Sequence, residues 1–212
     1  MHTPDGFLHP WMAALFLALA AAWAAFAVRR ARGTLTESRL RLFSVVSAGV
    51  FAAQLLNWPI PGGTSAHFVG GAFAAIVLGP HLGALSVAVV VVVQALAFGD
   101  GGLFALGANV WNMAVVEAYV GYAVYRALAD RSEPLAVVAA GWIGVTAAAL
   151  SAGLQLGLSP AFGYELLTVA SVMAGGHLLL GIGEGLGTLA AVRFLSTAGG
   201  DDRVDAVEGV RA

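Results

Sequence analysis

The apolar residues of this chain fall into long blocks, each of a length that suits a membrane-crossing helix. The blocks run over roughly 11–28, 40–57, 81–98, 103–125, 134–157 and 164–195. A shorter block, 67–79, lies between Gly-rich and Pro-containing stretches. Its thirteen residues rise only about 20 Å as a helix, less than the roughly 30 Å of a hydrocarbon core. Only Gly79-Pro80 separates it from 81–98, so the two are either a short span with its partner or a re-entrant pair. Counting it as a span gives an all-α membrane protein of seven transmembrane helices. Residues 1–195 form a single integral domain, and the polar, Gly- and Asp-rich stretch 196–212 reads as a disordered tail.

The placement of Arg orients this bundle. Arg29, Arg30, Arg32, Arg39 and Arg41 follow the first span, Arg126 and Arg131 follow the fifth, and Arg193, Arg203 and Arg211 lie at the C-terminal end. With seven spans all three clusters share one side, which is then the cytoplasm. The opposite side receives the N-terminus and segments 58–66, 99–102 and 158–163, none of which carries an Arg. This agreement favours seven spans over six, with the N-terminus outside, the C-terminus cytoplasmic and the chain a multi-pass protein of a prokaryotic plasma membrane.

Composition narrows the function. Residues of the AVILMFWYC set make up 59% and charged residues 10%, with a mean hydropathy of +0.87, so little of the protein lies outside the lipid bilayer. All ten basic residues are Arg, and without Lys there is no Walker A loop. Any ATP that drives this protein is hydrolysed by another subunit. No Cys is present, which removes thiolate ligands, disulfides and Cys nucleophiles. A net charge of −2 offers no electrostatic case for nucleic acid. No H-E-x-x-H and no G-x-S-x-G occurs, and the chain reads as a non-enzyme. The first ten residues contain no basic n-region, so the N-terminus is expected to be retained, Met1 included, since the bulky His2 disfavours Met removal.

Five His residues carry the candidate chemistry, and His2, His9 and His67 share the outer side. An N-terminal amine followed by His at position two is a chelating unit. The α-amine, the amide nitrogen of residue two and the imidazole Nδ1 close fused five- and six-membered rings on one metal ion. One further nitrogen completes a square plane, a geometry that suits Ni(II) or Cu(II). His67, carried by the Gly62-Gly63-Thr64-Ser65-Ala66 loop, is the obvious fourth donor. The competing reading is a polar His2 in an exposed terminus. His9 and His81 read as interfacial. Glu117, His177 and Glu184 lie within spans, where ionisable groups face the bundle interior. They are either a structural polar cluster satisfied between helices or part of a transport path. Gln94 adds polarity to its span. Asn109 and Asn112, at i and i+3, either support the His67 loop or serve as interhelical hydrogen-bond partners.

The N-terminal Met1-His2-Thr3-Pro4-Asp5-Gly6-Phe7-Leu8 resembles the start of the CbiM/NikM family, the nickel/cobalt substrate-binding components of energy-coupling-factor transporters. So do Asn57-Trp58-Pro59-Ile60-Pro61-Gly62-Gly63-Thr64-Ser65-Ala66-His67, Gly79-Pro80, Phe98-Gly99-Asp100-Gly101-Gly102 and Leu106-Gly107-Ala108-Asn109-Val110-Trp111-Asn112-Met113. The resemblance implies the six-helix core of such components with one helix added at the N-terminus. It implies capture of Ni²⁺ or Co²⁺ from outside by the Met1 amine, the amide and imidazole of His2, and the His67 imidazole. Asp5, Asn57, Ser65, Asn109 and Asn112 are the residues expected to orient those ligands. The implied partners are a transmembrane coupling subunit, two ATPase subunits and a small accessory membrane subunit, with no ATP bound by this chain. The Pro-Asp-Gly start and the Gly-Thr-Ser-Ala-His loop look closer to the nickel branch than to the cobalt branch. Two other classes compete: a stand-alone proton-coupled permease using Glu117, His177 and Glu184, and a membrane sensor that reports metal to a partner.

Overall fold

The computed structural model describes residues 1–59 and 65–198. Among them are seven helices and one short hairpin. Helix α1 is Pro10–Ala31 with a 3₁₀ extension to Thr34, α2 is Glu37–Gln54, α3 is Gly71–Leu78 and α4 is Pro80–Val93 continued by a π-helical turn, Gln94–Phe98. Helix α5 spans 106–128 and contains its own π-helical stretch, Trp111–Val116. Helix α6 is Glu133–Gly157 and α7 is Leu166–Ala198. Strands β1 (Asn57–Pro59) and β2 (Ser65–His67) pair antiparallel, with Asn57 opposite His67.

The helix starts follow from the sequence. Pro10, Pro80 and Pro134 occupy the first turns of α1, α4 and α6, where the missing N–H costs nothing. Thr36 caps α2, its hydroxyl accepting from the Arg39 N–H at 3.2 Å. Gly79, at φ +84°, turns the chain sharply between α3 and α4. The short apolar block is therefore a helix of eight residues, seven of them buried. Other helices rather than lipid surround α3, so it is under no demand to match the bilayer thickness. Helices α1, α4, α6 and α7 are long and apolar enough to cross a membrane.

Close packing depends on small residues, as expected where helices meet without water. A Cβ on Gly107 of α5 would lie 2.3 Å from the Leu17 backbone of α1, and one on Gly185 of α7 would lie 2.3 Å from the Val138 carbonyl of α6. Large apolar side chains such as Leu167, Leu179 and Phe194 stand on the outside instead, as lipid contact requires. Helix α7 continues to Ala198, three residues into the stretch read as tail. Ser196 and Thr197 add to that last turn by donating their hydroxyls to the Arg193 carbonyl at 2.8 and 3.1 Å. The rest of that expected tail lies outside the described residues.

Candidate metal centre

Of the nine residues before α1, Met1, His2 and Thr3 are buried in a space between the hairpin, the end of α4 and the start of α5. Met1 is fully buried, and its amine donates to the Ser65 carbonyl at 2.5 Å and to Ser65 Oγ at 3.0 Å. Thr3 donates its N–H to Asn109 Oδ1 at 2.8 Å, and its carbonyl accepts from Asn109 Nδ2 at 3.1 Å and from the Gly102 N–H at 2.9 Å. The Asp5 carboxylate accepts from the N–H groups of Leu103, Phe104 and Ala105 at 3.0, 2.8 and 3.2 Å. These are donors at a helix start that the helix itself cannot satisfy. Gly101 and Gly102 let the two chains touch. A Cβ on Gly102 would lie 2.1 Å from Asp5 Oδ1, and one on Gly101, at φ +89°, would lie 3.2 Å from the His2 ring.

Each nitrogen at this site has its N–H groups taken by an acceptor. His2 Nε2 lies 3.1 Å from Gln94 Oε1, and His67 Nδ1 lies 2.7 Å from the Phe68 carbonyl. Both partners are acceptors, so those nitrogens carry the protons. His2 Nδ1 and His67 Nε2 are left with their lone pairs, and both are buried without a hydrogen-bond partner among the described residues. The two rings stack with centroids 4.7 Å apart and planes inclined by 22°. A neutral amine has two N–H bonds and one lone pair, and Ser65 occupies both N–H bonds of Met1.

Burial also keeps these groups uncharged. Desolvation pushes the Met1 amine from 8.0 down to about 4, against the opposing pull of the Asp100 and Glu117 charges. Desolvation, then the charge of the amine, takes His2 to about 4, opposed by Asp100 and the Gln94 hydrogen bond. His67 falls well below its ordinary value, through burial first and then through the neighbouring amine and His2. Neutral nitrogens with uncommitted lone pairs are what a transition-metal ion requires of its ligands.

The segment after His67 is clamped from two helices. Glu184 of α7 accepts from the Val69 and Gly70 N–H groups at 3.0 and 2.7 Å, and Glu117 of α5 accepts from the Gly71 N–H at 2.7 Å. Gln54 of α2 donates to the Val69 carbonyl at 2.8 Å. The two carboxylates thus satisfy the first N–H groups of α3, which is the structural reading of this cluster. His177 lies fully buried on α7, its Nδ1 2.8 Å from the Met173 carbonyl.

Of the residues singled out in the sequence, Met1, His2 and His67 come together. Ser65, Asp5 and Asn109 contact or seat the N-terminal segment. Asn57 is exposed, faces His67 across the hairpin and lines the outer pocket. Asn112 does not reach the site. Its side chain bonds Gln155 and Ser151 of α6 at 2.7 to 3.0 Å, the interhelical role. Asn109 precedes the π-helical stretch and Asn112 lies within it, so i, i+3 spacing does not hold the two on one face. Gly62, Gly63 and Thr64 lie outside the described residues. Two residues of the site were given no part in it from the sequence: Gln94, read only as polarity in its span, and Asp100, quoted only within the stretch 98–102. Among the described residues no group of three His, Asp or Glu side chains forms a metal cage. The nitrogens brought together here belong to two imidazoles and the chain's N-terminal amine.

Comparisons with known proteins find relatives among metal transport proteins. A fused nickel transport protein by name, NikMN of Archaeoglobus fulgidus, is 52% identical over 208 residues, covering 98% of this chain and 68% of that one. A metal transport protein by name from Haloquadratum walsbyi is 52% identical over 198 residues, covering 93% and 91%. The crystal structure of a truncated transition metal transporter superposes with a TM-score of 0.90 at 33% identity, covering 94% of this chain and all of that one. These relatives are transport proteins rather than enzymes. Residues 2–201 match the family described as cobalt uptake substrate-specific transmembrane region, CbiM, and the chain belongs to that family.

Proposed function

We propose that this chain is the substrate-binding membrane component of an energy-coupling-factor importer and captures a divalent transition-metal ion, Ni²⁺ in preference to Co²⁺, from outside the cell. The observation that carries this reading is the set of nitrogen lone pairs around Met1. The Met1 amine, His2 Nδ1 and His67 Nε2 are buried and neutral, with every N–H already engaged elsewhere. The amide nitrogen of His2 lies between the amine and Nδ1 in the chelate and completes a four-nitrogen set on losing its proton. A strong-field set of four nitrogens suits square-planar Ni(II).

Capture then proceeds by ligand exchange. The hydrated ion loses water as the amine and the two imidazoles donate, and the amide proton leaves to solvent as the fourth nitrogen binds. Met1, Thr3 and Asp5 hold the chelating residues in place, and Gln94 and Phe68 fix which ring nitrogen donates. A seven-helix bundle with the N-terminus outside agrees with the Arg distribution, which leaves the N-terminal pocket on the uptake side. Release to the cytoplasm falls to a coupling subunit, two ATPase subunits and an accessory membrane subunit, since this chain has no Lys for a Walker A loop. The permease alternative finds little support. Glu117 and Glu184 are engaged by backbone N–H groups of α3 rather than arranged along a path.

The test is the metal content and absorption spectrum of the purified chain with Met1 as its first residue, loaded with Ni²⁺ and Co²⁺ in competition. One equivalent of Ni²⁺ with a yellow square-planar band supports the reading. No stoichiometric binding of either ion overturns it.

A further inference from the structure

One contact at this site is unfavourable as it stands. Asp100 Oδ1 lies 3.4 Å from His2 Nδ1. The Gln94 carbonyl oxygen holds the His2 proton on Nε2, so Nδ1 presents a lone pair to a carboxylate that also has only lone pairs to offer. A buried ring lone pair and a part-exposed carboxylate facing each other beside a pocket are a pair that a cation between them satisfies. Their spacing suits a transition-metal ion. Donors bound at about 2.0–2.1 Å to one ion lie about 2.9 Å apart when cis and about 4.1 Å apart when trans.

Asp100 also occupies the right place along the route. Its side chain is 31% exposed whereas that of His2 is 3% exposed, so the carboxylate joins solvent to the buried ring. It lines an open pocket of about 530 Å³ together with Asp5, Asn57, Ser65 and Gly101. Among the described residues the pocket has two carboxylates, of which Asp100 is the uncommitted one. Asp5 is fully engaged by the N–H groups of Leu103, Phe104 and Ala105. Asp100 is held by its backbone instead, its N–H donating to the Gln94 carbonyl at 3.1 Å between Gly99 at φ +66° and Gly101 at φ +89°. The loop fixes where the carboxylate stands without consuming its oxygens.

We infer that Asp100 is the capture ligand of the outer pocket: it binds the hydrated divalent ion first and passes it to His2 Nδ1, and it leaves the ion once the nitrogen set closes. This rests on the four-nitrogen reading above and adds a step before it. A hard oxygen donor exchanges ligands readily with a hydrated cation, and a negative charge at the mouth of a cleft raises its arrival rate. The closed nitrogen set has no need of the carboxylate.

The experiment is stopped-flow loading of the full chain in detergent with Ni²⁺ alone, following the growth of the nickel band at low and high ionic strength. Asp100→Asn keeps the shape and removes the charge. It is expected to slow loading by about fivefold or more at low salt and to flatten the salt dependence, with the final band at the wild-type wavelength. Asp100→Glu, which retains the charge, is expected to recover most of the rate. An Asp100→Asn chain that loads at the wild-type rate overturns the inference while the nitrogen site stands. A shifted final band also overturns it, because Asp100 is then a resident ligand. A wild-type chain that develops no band overturns the four-nitrogen reading itself.

Discussion

Adding one residue before Met1 is the sharpest perturbation this structure offers. The amine would become an amide, whose nitrogen donates to a metal only after losing its proton. The change also disrupts the seating, because Met1 is 0% exposed and the space around its nitrogen is taken by Ser65. Two hydrogen bonds at about 1 kcal/mol each are lost or distorted. Expelling the buried Met side chain costs about 2 kcal/mol more. The sum, about 4 kcal/mol, is about a thousandfold in the population of the seated terminus, before the missing donor is counted. We therefore expect Ni²⁺ affinity to fall at least a thousandfold. The helices should be untouched, since none begins before Pro10. The assay is competition against a chelating dye, with a chain extended at the C-terminus as control and far-ultraviolet circular dichroism as the check on folding. An N-terminally extended chain that binds within tenfold of the native one would refute the placement of the amine among the ligands.

Acidification is expected to release the N-terminal segment of the metal-free chain. The amine's value is lower when seated, about 4, than when released, about 8, so the released state holds more protons between those values. The seated state is therefore fully favoured above pH 8 and loses about 1.4 kcal/mol per unit as pH falls towards 4. Hydrogen exchange of residues 1–8, corrected for intrinsic rates, should therefore show protection weakening as pH falls from 8 towards 4; protection unchanged over that range would contradict this. Gly102→Ala cannot coexist with Asp5 in its present seat, and losing those backbone bonds at about 2–3 kcal/mol should weaken Ni²⁺ binding about a hundredfold in the same dye competition. Glu184→Gln replaces an oxygen that accepts a backbone N–H with an NH₂ that cannot, so about 1–3 kcal/mol of stability should disappear as a lower unfolding temperature, with metal affinity reduced in parallel. Unchanged melting would mean that the clamp on α3 is idle.

The sequence made the helices legible because a bilayer demands unbroken apolar runs, and Pro10, Pro80 and Pro134 mark where three of them start. It pointed to Met1, His2 and His67 through the chelating chemistry of a terminal amine with His at position two, together with the resemblance of residues 1–8 and 57–67 to the CbiM/NikM family. It did not reveal the burial of α3, since a short apolar helix reads the same against lipid as against protein. Gln94 and Asp100 were hidden by the π-helical turn at 94–98, which ends in Gly99 and brings the Asp100 N–H back to the Gln94 carbonyl. A run of Val and Ala gives no sign of where a helix widens. The same blind spot misplaced Asn112. Glu117 and Glu184 looked like a polar path because the backbone they satisfy, Val69 to Gly71, is 46 to 115 residues away in sequence.

The site is best understood as a means of preferring a metal ion to a proton. An exposed amine near pH 7 is mostly protonated and an exposed imidazole partly so, and each metal ion would have to displace those protons. Here burial removes the protons beforehand, at the expense of seating a polar terminus inside the protein. Asp5 and Asn109 offset that expense with backbone hydrogen bonds that never touch the metal. Ser65, Gln94 and the Phe68 carbonyl then settle the orientation of each donor by accepting its N–H. The one position that keeps an unresolved clash of lone pairs is His2 Nδ1 against Asp100, and it is also the one that meets the open pocket. On the proposed reading, a divalent cation relieves that clash while remaining bound by the neutral nitrogens behind it, so loading runs from Asp100 inward.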